Sequence, residues 1–216
     1  MSNIDLQDRV VLITGAGKGA GRALAETLSA YGAVIAANDI SPVNVEEVVA
    51  GIKAKGGNAK AYIEDVAKKV AVQALIKTIE DELGRIDVLI VHAAVEPHTP
   101  LLAMDEWDWH RVLDVNLTGA FLMIQSVGRV MRASSNRRGV MLTIVPGAGR
   151  ERHPEPVEGV RSEAGAYASS MEGLRALSHA ADRELSQFGV RVYAIENEGN
   201  EKVVEAALSI LEKEAQ

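Results

Sequence analysis

Short runs that are almost wholly apolar alternate along this chain with longer stretches in which apolar residues recur at helical spacing. Val10-Val11-Leu12-Ile13 is the first apolar run, and after a glycine-rich break Arg22 to Leu28 reads as an amphipathic helix. Val34 to Asn38 is a second strand. Ser41-Pro42 then caps and starts a helix that runs to about Lys55 and stops at Gly56-Gly57. Ala59 to Ile63 is a third strand, Ala67 to Leu83 a helix ended by Gly84, and Ile86 to Val91 a fourth strand. A long helical stretch runs from about Asp105 to Ala133. Gly139 to Val145 is a fifth strand, Ala164 to Gln187 a helix and Val190 to Ile195 a sixth strand, and a helix from Glu201 to about Glu212 follows. Apolar strands joined by helices need right-handed crossovers, so the pattern predicts an α/β fold: a doubly wound parallel sheet of about six strands with helices on both faces.

The break after the first strand carries the candidate chemistry. Thr14-Gly15-Ala16-Gly17-Lys18-Gly19-Ala20-Gly21 sits where a strand turns into a helix. Glycines let a ligand approach the backbone closely, and the free N–H groups and positive dipole end of the helix favour its negative charge. That geometry suits the diphosphate of a dinucleotide, bound at the carboxyl ends of the strands of a Rossmann-type domain. Thr14, Gly15, Gly19 and Gly21 fit Thr-Gly-x-x-x-Gly-x-Gly rather than G-x-G-x-x-G. The spacing resembles the short-chain dehydrogenase/reductase (SDR) family, classical type, in which this turn wraps the adenosine end of a nicotinamide cofactor.

Composition narrows the picture. A chain of 216 residues that is 47% hydrophobic builds one sizeable core, so one domain is expected. The net charge of −7 argues against a nucleic-acid surface and an anionic membrane. No signal peptide and no membrane-spanning run is present, so a cytoplasmic location is expected. The sequence has no cysteine, which excludes disulfides and thiolate chemistry. His92, His98, His110, His153 and His179 show no i, i+4 pairing, so no metal site is expected.

Further positions can be weighed at the strand ends. Asp39 follows the second strand, where a carboxylate can bond the adenosine ribose hydroxyls and repel a 2′-phosphate, favouring NAD. Lys18 pulls toward NADP, because it resembles the basic residue of NADP-using family members. Asp65-Val66 resembles the family's adenine-side pair, and Asp65 also reads as an N-cap for the following helix. Val91-His92-Ala93-Ala94 stands where the family carries Asn-Asn-Ala-Gly: the small pair lining the cofactor survives in Ala93 and Ala94, whereas the asparagines do not. Trp107, Trp109 and Val112 to Asn116 resemble the start of the family's interface helix, and Asn116 matches an asparagine that supports a water relay in active members. The resemblance also implies a homodimer and a small-molecule carbonyl or alcohol substrate.

The reacting end departs from that pattern. In the family a serine orients the substrate, a tyrosine exchanges the proton, and a lysine one turn later binds the nicotinamide ribose and lowers the tyrosine pKa. Tyr167 matches the tyrosine, but Met171 replaces the lysine, and Val145-Pro146 stands where the serine turn should be. An unassisted phenol of pKa about 10 is ionised to only about one part in a thousand at pH 7. The loop before Tyr167, Arg150 to Glu163, is longer than the family's by about eight residues, the size of a surface insertion. Arg150, Arg152 and Arg161 are the cations it offers. After Ile195 the family's Pro-Gly turn, substrate lid and seventh strand are expected to be absent. Three functions stay open: an active NAD(P)-dependent oxidoreductase with rearranged groups, an inactive cofactor-binding sensor or partner subunit, and a decayed relative that keeps only the fold.

Overall fold

The apolar runs at the centre of the chain's sheet, Val10–Thr14 and Val88–Val91, form strands buried on both sides, as a sheet covered by helices requires. The computed structural model describes residues 4–97, 99–134, 138–147 and 165–215. In chain order the elements are β1 (Val10–Thr14), α1 (Gly19–Ala30), β2 (Val34–Asp39), α2 (Pro42–Ala54), β3 (Asn58–Ile63), α3 (Lys69–Leu83) and β4 (Val88–Val91). They continue as α4 (Glu106–Leu113), α5 (Ala120–Ala133), β5 (Gly139–Pro146), α6 (Gly165–Leu185), β6 (Val190–Asn197) and α7 (Asn200–Ala215). The strands form one sheet in the order β3-β2-β1-β4-β5-β6, and every pairing is parallel. This is the doubly wound Rossmann-type architecture that the alternation predicts. Among the described residues no helix is long and apolar enough to cross a membrane.

Alternate residues of each strand feed two apolar layers. Val11 and Ile13 of β1 pack with Leu24 and Leu28 of α1, Val45 and Val48 of α2, and Val203, Ala207 and Leu211 of α7. Val10 and Leu12 face the other way, toward Leu75 and Ile79 of α3, Met123 and Val127 of α5, and Met171 and Leu174 of α6. All five residues of β1 are buried, which fixes the strand that launches the glycine turn. The last helix therefore lies over the α1 face of the sheet.

Three expectations change in detail. The stretch from Asp105 to Ala133 is not one regular helix, because Asp114–Gly119 forms a π-helical turn between α4 and α5. Gly119 eases the packing there, since a Cβ would lie a tight 3.1 Å from the Val66 carbonyl oxygen. Asp65 is not the N-cap of α3: that position belongs to Lys68, while Asp65 Oδ1 accepts the Ala67 N–H (3.0 Å) in a turn that precedes the helix. The helix expected to reach Gln187 ends at Leu185 and closes in a tighter turn over Ser186–Phe188. The insertion expected at Arg150 to Glu163, together with His98 and His153, lies outside the described residues.

Candidate functional site

The strand order reverses between β1 and β4, and the glycine turn leaves the sheet at that point. Thr14, fully buried at the end of β1, fastens the two strand ends together. Its Oγ1 accepts the His92 N–H (3.1 Å) and the Ala93 N–H (3.2 Å) and donates to the Ile90 carbonyl (3.5 Å).

The turn itself is set by close contacts that only glycine permits. Gly15 has φ +66° and lies so near β4 that a Cβ would sit 2.9 Å from the Ala93 backbone. A Cβ on Gly21 would lie 2.3 Å from the Gly15 carbonyl oxygen and 2.7 Å from His92 Nδ1. The next two amides turn inward: Ala16 N–H donates to the Asn38 carbonyl (3.0 Å) and Gly17 N–H to Asp39 Oδ2 (2.9 Å). Helix α1 then begins with Lys18 at its N-cap, without a side-chain cap and without an acidic residue in its first turn. Its first N–H groups have no partner within the helix, so the positive end of the dipole faces the cleft.

A cleft of about 310 Å³ opens over this turn. Gly15, Lys18, Asp39, Asp65, Val66 and Ala93 all line it, with Asn38, Ser41, Glu64, His92, Arg111 and Val115 among the other walls. Asp39 Oδ1 also accepts the Ser41 N–H (2.9 Å), so its carboxylate binds one backbone amide through each oxygen and is held rigidly at the mouth. Asp65 Oδ2 lies 3.7 Å from the Arg111 guanidinium, across the cleft from the β3–α3 turn to α4. Asn38 Nδ2 donates to the Tyr62 and Glu64 carbonyls, whereas its buried Oδ1 has no partner within the protein. An uncapped helix end, a cradle that side chains would fill and a fixed carboxylate together fit an adenosine diphosphate group. A larger cleft, of about 480 Å³, lies at the opposite, amino end of the strands among charged residues such as Arg9, Arg85 and Arg191, away from the glycine turn.

In the sequence His92 stands out only as a replacement for a family asparagine. Its Nδ1 lies 3.0 Å from the Gly15 carbonyl oxygen, and because a carbonyl only accepts, Nδ1 carries the proton. Burial, the largest influence, pushes the imidazole pKa below its ordinary range, opposed by the Gly15 bond and by Asp39. Arg111 likewise lacked a signal: its partner Asp65 is remote in sequence, and only the sheet order brings them together.

The residues expected at the reacting end are not among those lining the cleft over the glycine turn. Asn116, buried in the π-helical turn, spends its whole amide on structure: Oδ1 accepts the Val95 N–H (2.8 Å), and Nδ2 donates to the Val95 carbonyl and to Ser170 Oγ (both 3.0 Å). Ser170 Oγ donates to the Tyr167 carbonyl (2.7 Å), so the clamp joins the β4 loop, the π-helical turn and α6. Tyr167 lies on α6, half-buried against the apolar layer, and is not among the residues lining the cleft. Met171 is buried in that layer with Val145 and Leu174. Thr143 Oγ1 is bonded to Ser178 Oγ (2.7 Å) inside the α6 packing, so it offers no replacement for the serine. The Pro146 carbonyl accepts from Arg175, whose guanidinium also bonds Glu196 (3.0 Å). Among the described residues no cluster of side chains is arranged to hold a metal ion.

Residues 9–201 match the family model described as short chain dehydrogenase. The sequence is 36% identical over 191 residues to a 3-oxoacyl-acyl-carrier-protein reductase of Synechocystis sp., covering 88% of this chain and 73% of that protein. The fold superposes with a TM-score of 0.85 on a metagenomic short-chain oxidoreductase in complex with NADP, at 27% identity, over 96% of this chain and 92% of the other. It also superposes with a TM-score of 0.79 on NAD+-bound xylitol dehydrogenase, at 30% identity, over 89% of this chain and 71% of that one.

Proposed function

This chain belongs to the short-chain dehydrogenase family, and on that premise we propose that it binds a nicotinamide dinucleotide, NAD in preference to NADP, with hydride-transfer turnover strongly diminished. The observation that carries the binding is the glycine cradle: Gly15, Gly19 and Gly21 around the uncapped end of α1, with Thr14 bracing the strand ends behind them. Asp39 favours NAD, because its fixed carboxylate offers its remaining lone pairs to ribose hydroxyls and repels a 2′-phosphate. Lys18, exposed at the same mouth, is the feature that favours NADP. Asp65, Val66 and Ala93 complete the wall for the adenosine and the adjoining ribose.

When bound, the nicotinamide supplies hydride exchange with the carbon of a small-molecule carbonyl or alcohol. On the protein side Tyr167 is the remaining proton carrier, and Asn116 orders the helix that bears it through Ser170. What Tyr167 lacks is help. Met171 gives neither positive charge nor ribose hydrogen bonds, and Pro146 has no hydroxyl to hold a substrate oxygen. That double loss supports the second reading, an inactive cofactor-binding sensor or partner subunit. The family's pairing mode, through the helices after the fourth and fifth strands, supports a homodimer through the α4–α5 stretch and α6; on the former Trp107 is 71% and Phe121 42% exposed.

Calorimetric titration with NADH and NADPH, followed by an absorbance assay against ketones and alcohols, tests the proposal. Binding of NADH without turnover supports it, and silence with both nucleotides refutes it. The double substitution Met171→Lys with Pro146→Ser should restore measurable turnover if only the catalytic groups are missing. Continued silence in a folded, NADH-binding variant favours the sensor or partner role.

A further inference from the structure

The imidazole of His92 connects the two halves of the cleft, one edge bonded to the glycine turn and the other facing the start of α1. We propose that His92 is a positioning residue for the glycine turn and that it takes up a proton when a diphosphate group seats at the end of α1. The inference rests on the dinucleotide reading above, but concerns a group which that reading does not use.

The positioning role follows from three contacts. Nδ1–H donates to the Gly15 carbonyl (3.0 Å), the backbone N–H of His92 is anchored to Thr14 Oγ1 (3.1 Å), and Gly21 leaves the space in which the bond forms. The bond draws the Gly15 carbonyl into the protein. A carbonyl oxygen is a partial negative charge, so turning it inward leaves the N–H groups of the helix end to face an anion.

The proton linkage follows from the ring's other edge. With Nδ1 as donor, the neutral ring carries its lone pair on Nε2, and both Cε1 and Nε2 lie 3.9 Å from the Cβ position of Gly19 at the start of α1. The charged groups lining this cleft are Lys18 from the glycine turn, Asp39 from β2, Glu64 and Asp65 from the β3–α3 turn, and Arg111 from α4. Asp39 is committed to two backbone amides and Asp65 to Arg111, so a new pair of negative charges beside Gly19 meets the imidazole as the nearest group able to change its charge near neutrality. Burial disfavours the imidazolium, and the incoming charge reverses that balance. Protonation at Nε2 leaves the Nδ1–H bond to Gly15 intact, so the turn keeps its shape in both states.

Binding of NAD+ should therefore strengthen by roughly three- to fivefold from pH 8 to pH 6, the response to about one pKa unit of coupling. Titration calorimetry with NAD+ in two buffers of different ionisation enthalpy counts the protons taken up. His92→Asn retains an N–H donor for Gly15 but cannot titrate, so the ratio between the two affinities should fall to near one, and proton uptake should vanish. In the unaltered protein the His92 imidazole resonance, followed by NMR against pH, should titrate at higher pH with NAD+ than without it. Equal affinity at both pH values with no proton uptake overturns the inference and leaves the dinucleotide site standing. Persistent uptake in His92→Asn overturns it too, and absence of NAD+ binding at any pH overturns both.

Discussion

Replacing Gly21 with alanine sets local propensity against tertiary geometry. In an exposed helix the change adds up to about 1 kcal/mol of stability, because alanine loses less backbone freedom on folding. At Gly21 the added carbon would lie 2.3 Å from the Gly15 carbonyl oxygen and 2.7 Å from His92 Nδ1. Neither can retreat cheaply. The Gly15 peptide is followed by Ala16 N–H bonded to Asn38, and its own φ is already +66°. His92 is tied through its backbone to Thr14. Breaking the imidazole–carbonyl bond costs about 1 kcal/mol, and forced repacking of a tight contact about 1–3 kcal/mol. After the propensity gain is subtracted, Gly21→Ala should destabilise the fold by about 1–3 kcal/mol. Gly51 in α2 is the internal control, since nothing lies within 4 Å of its Cβ position. Gly51→Ala should stabilise by about 0.5–1 kcal/mol. Urea unfolding followed by circular dichroism measures both, and the thermal midpoint should move by about 2–4 °C per kcal/mol for a chain of this size. A Gly21→Ala protein as stable as Gly51→Ala, with NADH affinity intact, would refute the account of the cradle.

Thr14→Val keeps the shape of the side chain but removes the acceptor for the His92 and Ala93 amides; leaving these buried donors unmatched should cost about 2–4 kcal/mol in urea unfolding and weaken NADH binding. Asp182 accepts from Arg191 Nε (2.9 Å) and from the Val192 N–H (2.9 Å), and the Arg191 guanidinium is the main reason its carboxyl sits below the usual range. A carboxyl lowered in the folded state contributes stability that is complete above its unfolded pKa of about 3.9 and is lost as pH falls through the folded value. Asp182→Asn should therefore lower stability by about 1 kcal/mol at pH 7, with the difference from the parent shrinking below pH 4, as thermal scans against pH would register.

The elements were legible because their causes are local. A buried strand is a short apolar run, a helix shows its stripe within two turns, and glycine or proline marks each break, so β1 to β6 appear close to their observed limits. The glycine spacing was equally readable, since Gly15, Gly19 and Gly21 satisfy backbone requirements within one turn of chain. Gly119 was not legible: the π-helical turn that contains it forms where α4 and α5 pass Val66, a residue far away in sequence.

The same distinction runs through the site. Position alone marked Asp39 at a strand end, and the resemblance to the family marked the missing lysine and serine at Met171 and Pro146. Only the tertiary structure gave His92 its partner Gly15, 77 positions earlier, and joined Asn116 to Ser170, 54 positions later. It also moved Asp65 from a helix cap to a pairing with Arg111. Hydrogen bonds within a turn are decided by neighbouring residues and can be read one window at a time. Bonds between strand ends exist because β4 lies beside β1, and that adjacency comes from burying both faces of the sheet at once.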